Sequence, residues 1–299
     1  MGLAGLAESA LLYTPAFSAL TRWYGPHWVR ALTTLSLVAG LSSTVFAPLT
    51  AALASRLDWR TTYVVLALLL GVITFPMHVR YLAPPWSREE ARHWRRHEPA
   101  HQRAVVRSRA FALLVLAMTL AAFGMYAATV NLVPLLTGRG VAMAIAATAL
   151  GLCGAGQVLG RLGYAPLARW TGPRLRTMAV MAIGAATVAL LGALPGPTSV
   201  LVGAAVAAGC ARGVLTLVQA TAISDRWGTQ HFASLNGLFS VPTTTAMAVA
   251  PAGGALFANW LGGYPRAFYI LSGVVLAGVA AAAATDVDSS VVRPQLGNR

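Results

Sequence analysis

The sequence predicts an all-α membrane protein of about nine transmembrane helices, and three observations carry that reading. Apolar residues make up 57% of the 299-residue chain and charged residues only 10%, too little polar surface to cover a soluble domain of this size. Long apolar runs recur at 2–21, 30–54, 61–83, 109–137, 141–165, 176–196, 198–222, 231–259 and 265–285, each near the ~20 residues that cross a bilayer. The third observation is an internal repeat: residues 1–80 return in weakened form about 204 positions later.

The repeat is visible residue by residue. Arg22-Trp23-Tyr24-Gly25 answers Arg226-Trp227-Gly228, Ala47-Pro48 answers Ala250-Pro251, and Ala51-Ala52-Leu53 answers Gly254-Ala255-Leu256. Two parallel halves in one membrane chain are a transporter architecture. The first three spans match the last three, so spans four to six imply a partner trio ahead of residue 1. The chain therefore reads as the last nine helices of a twelve-helix protein, with a native nine-helix protein as the alternative.

Four segments follow. Residues 1–83 are the remnant of an N-terminal bundle, 84–108 an Arg/His-rich cytoplasmic linker, 109–285 a six-helix bundle and 286–299 a cytoplasmic tail. The net charge of +14 comes from arginine alone, since the chain has no lysine. Counted over alternate loops, the arginines crowd one side, which the positive-inside rule makes cytoplasmic together with the C-terminus. His93, His97 and His101 stand four apart in the linker, a spacing that could stack ligands, but Pro99 interrupts the helix and a solvated linker without metal is expected. Cys153 and Cys210 lie inside apolar spans as small hydrophobes. Trp23, Trp170, Trp227 and Trp260 fall near span ends, as in an interfacial aromatic belt.

Charges inside spans mark function, because hydrocarbon penalises them unless they face a cavity or a partner. There are three: Glu8, Arg161 and Arg212. The repeat offset maps Glu8 onto Arg212. A guanidinium suits a carboxylate because its planar donors engage both oxygens. One reading therefore has Arg212 or Arg161 hold an anionic substrate group while Glu8 exchanges a proton. The other has Glu8 and Arg212 as a plain ion pair and Arg161 snorkelling to the inner surface. Asn131, Thr129, Tyr13 and Gln219 are softer candidates, equally suited to interhelical hydrogen bonds. Gly156 and Gly160 form a small-xxx-small step for close packing.

The order of these features resembles the major facilitator superfamily, and within it the monocarboxylate and oxalate/formate-type porters. The resemblance rests on Gly160-Arg161 followed by Leu167-Ala168-Arg169-Trp170-Thr171-Gly172-Pro173-Arg174, on Asp225-Arg226-Trp227-Gly228 with Ala233 to Leu238, and on Ala250 to Gly254 with Tyr264 to Phe268. It covers the chain as family helices four to twelve. It implies a truncated two-bundle fold in which Glu8 and Arg212 sit on cavity-lining helices, and a conformational loop set of Arg169, Gly172, Arg174, Asp225 and Arg226. Arg169 stands where the family loop carries an acid, and Gln157 where the branch often has an aspartate.

Enzymatic chemistry is not expected. Without lysine there is no P-loop or Schiff base, and Glu8 alone among eight carboxylates lies deep in a span. No cofactor is expected. The expected function is secondary transport of a small molecule, an organic anion with a proton or counter-ion, by alternating access between two bundles. A remnant without function and a transporter-like scaffold or sensor are the alternatives. The expected surroundings are the lipid bilayer of a cell inner membrane, with no nucleic-acid partner.

Overall fold

A computed structural model describes residues 16–17, 19–20, 23–24, 28–40, 46, 49–50, 52–53, 55–81, 99–228 and 232–285. Among them there are helices and no strands. The chain divides into two compact units, Met1–Leu37 with Gln102–Arg299, and Val38–His101.

In chain order the helices are α1 (Trp28–Gly40), α2 (Trp59–Tyr81), α3 (Pro99–Arg107), α4 (Arg109–Val130), α5 (Leu132–Thr137), α6 (Met143–Leu162), α7 (Tyr164–Trp170), α8 (Pro173–Ala193), α9 (Thr198–Thr221), α10 (Ser224–Trp227), α11 (Phe232–Leu261) and α12 (Tyr264–Ala283). Seven of them, α2, α4, α6, α8, α9, α11 and α12, are long and apolar enough to span a membrane. The first expected span lies mostly outside the described residues, and the second is described over α1 and scattered positions beyond it. His93 and His97 also fall outside, while His101 lies in α3, which starts at Pro99.

The second unit is carried by α2. Asp58 caps its start: the carboxylate accepts the backbone N–H of Arg60 at 2.9 Å and the Thr61 hydroxyl at 2.6 Å. Those bonds to Thr61 hold the Asp58 carboxyl below its ordinary range. The helix is exposed along most of its length, including Tyr63, Val72 and Phe75.

The first unit holds the buried core. Ser108 caps α4 by accepting the Phe111 N–H at 3.2 Å. The run expected to be continuous over 109–137 breaks at Asn131, and α5 follows as a separate short helix. The reason is local: Pro134 lacks an N–H to continue the ladder, and the Asn131 amide donates to the Ala127 carbonyl at 2.9 Å.

Between helices in lipid there is no hydrophobic drive, so closeness of backbones decides pairing. The principal partners are α6 with α9, α8 with α12, α4 with α12 and α4 with α11. The α6–α9 pair is the closest fit. A Cβ on Gly156 or Gly160 would overlap the backbone around Val206 and Cys210, and one on Gly209 or Gly213 would overlap that of Cys153 and Gln157. The small-residue step expected at Gly156 and Gly160 is thus matched by a second one on the facing helix. Ser272 of α12 donates to the Ala185 carbonyl of α8 at 2.9 Å, tying the second pair.

Candidate functional site

The first unit encloses a cavity of about 300 Å³. Helix α6 contributes Gln157 and Arg161, and α9 contributes Arg212, Leu215, Thr216, Gln219 and Ala220. Helix α4 adds Ala122, Met125 and Tyr126, and α11 adds Asn236, Phe239, Ser240, Thr243, Thr244 and Met247; Phe17 completes the wall. Because the glycine contacts set α6 and α9 parallel and in register, Arg161 and Arg212 lie within about one helical turn of the same level.

The two arginines have different neighbours. Arg161 is buried, with 6% exposure, and donates from Nη1 to the Ser36 carbonyl of α1 at 2.5 Å; its Nε meets no acceptor among the described residues. Arg212 lays its guanidinium over the Tyr126 ring, 4.6 Å from the ring centre. Among the described residues lining the cavity there is no carboxylate.

Three sequence-predicted residues, Gln157, Arg161 and Arg212, therefore meet on one cavity, with Gln219 beside them. Glu8 and Tyr13 lie outside the described residues. Asn131 does not reach this cavity: it is buried where α4 meets α11, its amide also donating to the Pro251 carbonyl at 3.3 Å. Its role there is interhelical, and Gly254 leaves the room for it. Thr129 bonds back to the Met125 carbonyl at 2.8 Å.

The loop residues form a second cluster. Arg176 at the start of α8 pairs with Asp225 of α10, donates to the Thr171 carbonyl at 3.1 Å, and lies 5.5 Å from the centre of the Tyr164 ring. Arg226 donates to the Ala222 carbonyl at 3.2 Å and the Thr177 hydroxyl at 3.1 Å. The Tyr164 hydroxyl meets the Thr221 hydroxyl at 2.5 Å. Burial pulls the Arg226 guanidinium down to about 10 and pushes the Tyr164 phenol up to about 12. Arg174 donates to the Ala283 carbonyl at the end of α12, whereas Arg169 and Gly172 are exposed. The acid of this cluster is Asp225, paired with Arg176.

Sequence reasoning missed Tyr126, Arg176 and the α11 wall. Arg176 was hidden among many loop arginines. The α11 wall carried a usable signal, since Asn236, Ser240, Thr243, Thr244 and Met247 recur at helical spacing in an otherwise apolar span.

Seven candidate spans among the described residues are those of a multi-pass membrane protein, and its first unit holds a cavity with two arginines on the wall. The model of the Major Facilitator Superfamily matches residues 1–204, and the chain belongs to that superfamily of secondary transporters. No curated protein matches the chain.

Proposed function

We propose that the protein is a secondary transporter of a small organic anion, of the monocarboxylate or oxalate/formate-type branch, working by alternating access. The observation that carries this reading is the pair of guanidinium groups on one cavity with no carboxylate among its described lining residues. Two cations at one depth, with no carboxylate beside them among the described lining residues, favour an anionic guest, and Gln157, Gln219 and Asn236 add neutral donors that orient it. Gln157 carries no titratable proton, so any proton coupling runs through another group, for which Glu8 is the candidate. The arginine-rich connections, read by the positive-inside rule, support a cytoplasmic side for the α7–α8 and α10 segments and the C-terminus.

The test is counterflow in proteoliposomes of the full chain, with labelled lactate, oxalate and benzoate against glucose and a quaternary amine. Saturable exchange of a carboxylate, lost in Arg212→Ala, is expected. Arginine-independent exchange of the neutral or cationic solutes would overturn the anion reading.

A further inference from the structure

Resting on that reading, we infer that the two cavity arginines have separate tasks: Arg212, held by the Tyr126 ring, receives the anion, and Arg161 ties down α1. The separation follows from what each guanidinium touches. A guanidinium has five N–H donors in its plane and two faces. The centre of the Arg212 guanidinium lies over the Tyr126 ring, and none of the Arg212 donors meets an oxygen or nitrogen acceptor among the described residues. An aromatic ring holds the cation by attraction to its π face without the charge or the lone pairs of a carboxylate, so the donors of Arg212 on the cavity wall stay available to an anion. An acidic partner in the same place would hold the arginine equally well but would compete with the anion for that edge. Tyr126 is in this sense a positioning residue, acting on the ligand through Arg212.

Arg161 is placed otherwise. Its Nη1 donor is committed to the Ser36 carbonyl of α1. Its Nε is sealed from solvent without an acceptor among the described residues. The two ends of that bond are 125 residues apart. Arg161 thus stabilises the seat of α1 and presents at most part of its fork to the cavity.

The other arginines of this unit frame the contrast. Arg139, Arg176 and Arg226 all donate to main-chain carbonyls, and Arg176 also to a carboxylate. Among these interior cations Arg212 is the one partnered only by an aromatic face among the described residues.

The experiment is calorimetric titration of the purified full chain in nanodiscs with benzoate and with lactate, beside melting curves of the same samples. Binding by the wild type, lost in Arg212→Ala, reports on the anion reading itself. Tyr126→Leu is expected to weaken binding on the order of tenfold with an unchanged melting temperature. Tyr126→Phe, which keeps the ring face, recovers most of that loss, as mere cavity filling by leucine does not. Arg161→Gln is expected to lower the melting temperature and shift affinity less than Tyr126→Leu does. If the wild type binds neither acid, the anion reading fails and this assignment with it. If the wild type binds but Tyr126→Leu binds equally well, or Arg161→Gln alone abolishes binding, the division of tasks is overturned while the anion reading stands.

Discussion

The cavity and the α7–α8–α10 cluster each contain two arginines, yet they are opposite kinds of site. In the cluster each guanidinium donates to two or more acceptors, among them the carbonyls at Thr171 and Ala222, the Thr177 hydroxyl and the Asp225 carboxylate, and only the buried Nε of Arg176 meets none among the described residues. In the cavity Arg212 has a ring face and open space, and Arg161 a single carbonyl. A charge surrounded by acceptors belongs to the scaffold. A charge with unused donors facing a void waits for a ligand. The lesson is that residue type and depth in the membrane do not separate the two roles, whereas the count of acceptors around the group does.

The sharpest way to break this comparison is to remove the acid from the cluster. Asp225→Ala leaves the Arg176 cation buried beside only carbonyls and a ring, and about 3–5 kcal/mol of stability should be lost. Thermal denaturation in detergent reads this out, and Arg176→Met combined with Asp225→Leu should recover most of it. A loss below ~1 kcal/mol would mean the pair is ornamental.

Next in size is Arg139→Ala. This side chain donates to the Leu191 and Gly192 carbonyls at 2.7 and 2.6 Å, closing the C-terminal end of α8. About 2 kcal/mol should be lost in the same assay, with transport of any substrate that survives reconstitution unchanged in affinity.

The pH response of Tyr164 is smaller and confined to alkaline solution. Its phenol, raised by burial and then by Asp225, stays protonated to about 12, while an unfolded tyrosine ionises near ~10. The folded state therefore holds the extra proton between these values, so stability falls as pH rises from about 10 to 12 and is flat below that window. Tyr164→Phe should remove this slope, at a cost of ~1 kcal/mol for the lost Thr221 bond. A tyrosinate absorbance step near pH 10 assignable to Tyr164 would contradict it.

The smallest effect belongs to the receptor cation. Arg212→Ala should change melting by less than about 0.5 kcal/mol, or raise it, because no acceptor among the described residues is orphaned by its removal. A marked loss would move Arg212 to the scaffold class and erase the contrast.

Much of this architecture is written in one-dimensional patterns. Apolar runs locate the seven described spans to within a few residues, because bilayer thickness sets their length. Arg161 and Arg212 announce themselves since charge in hydrocarbon is rare, and their meeting on one cavity follows once α6 and α9 pair. The break at Asn131 was legible only as a Pro134 nearby, and the second bond of its amide, to the carbonyl of Pro251 120 residues away, was not legible at all. Tyr126 was invisible because an aromatic in a span is ordinary until a cation lies on it. Arg176 rather than Arg169 holds the acid, and that choice is made by the turn at Gly172-Pro173, which buries one arginine and leaves the other in the open.

The glycines of α6 and α9 carry one more implication. Where backbone meets backbone without side chains between, a slide of either helix along the other would drive Cβ atoms of the neighbouring residues into main-chain carbonyls. The pair is geared, like two racks with their teeth engaged, and it travels as a single piece. Arg161 and Arg212 ride on that piece, so the gauge between their backbones is a constant of whatever motion carries a solute across. Places where the backbone can bend lie elsewhere, in α11 with its internal Pro242 and Pro251 and at the α4–α5 break, so the anchor at Arg161 and the open cation at Arg212 share one stiff mount.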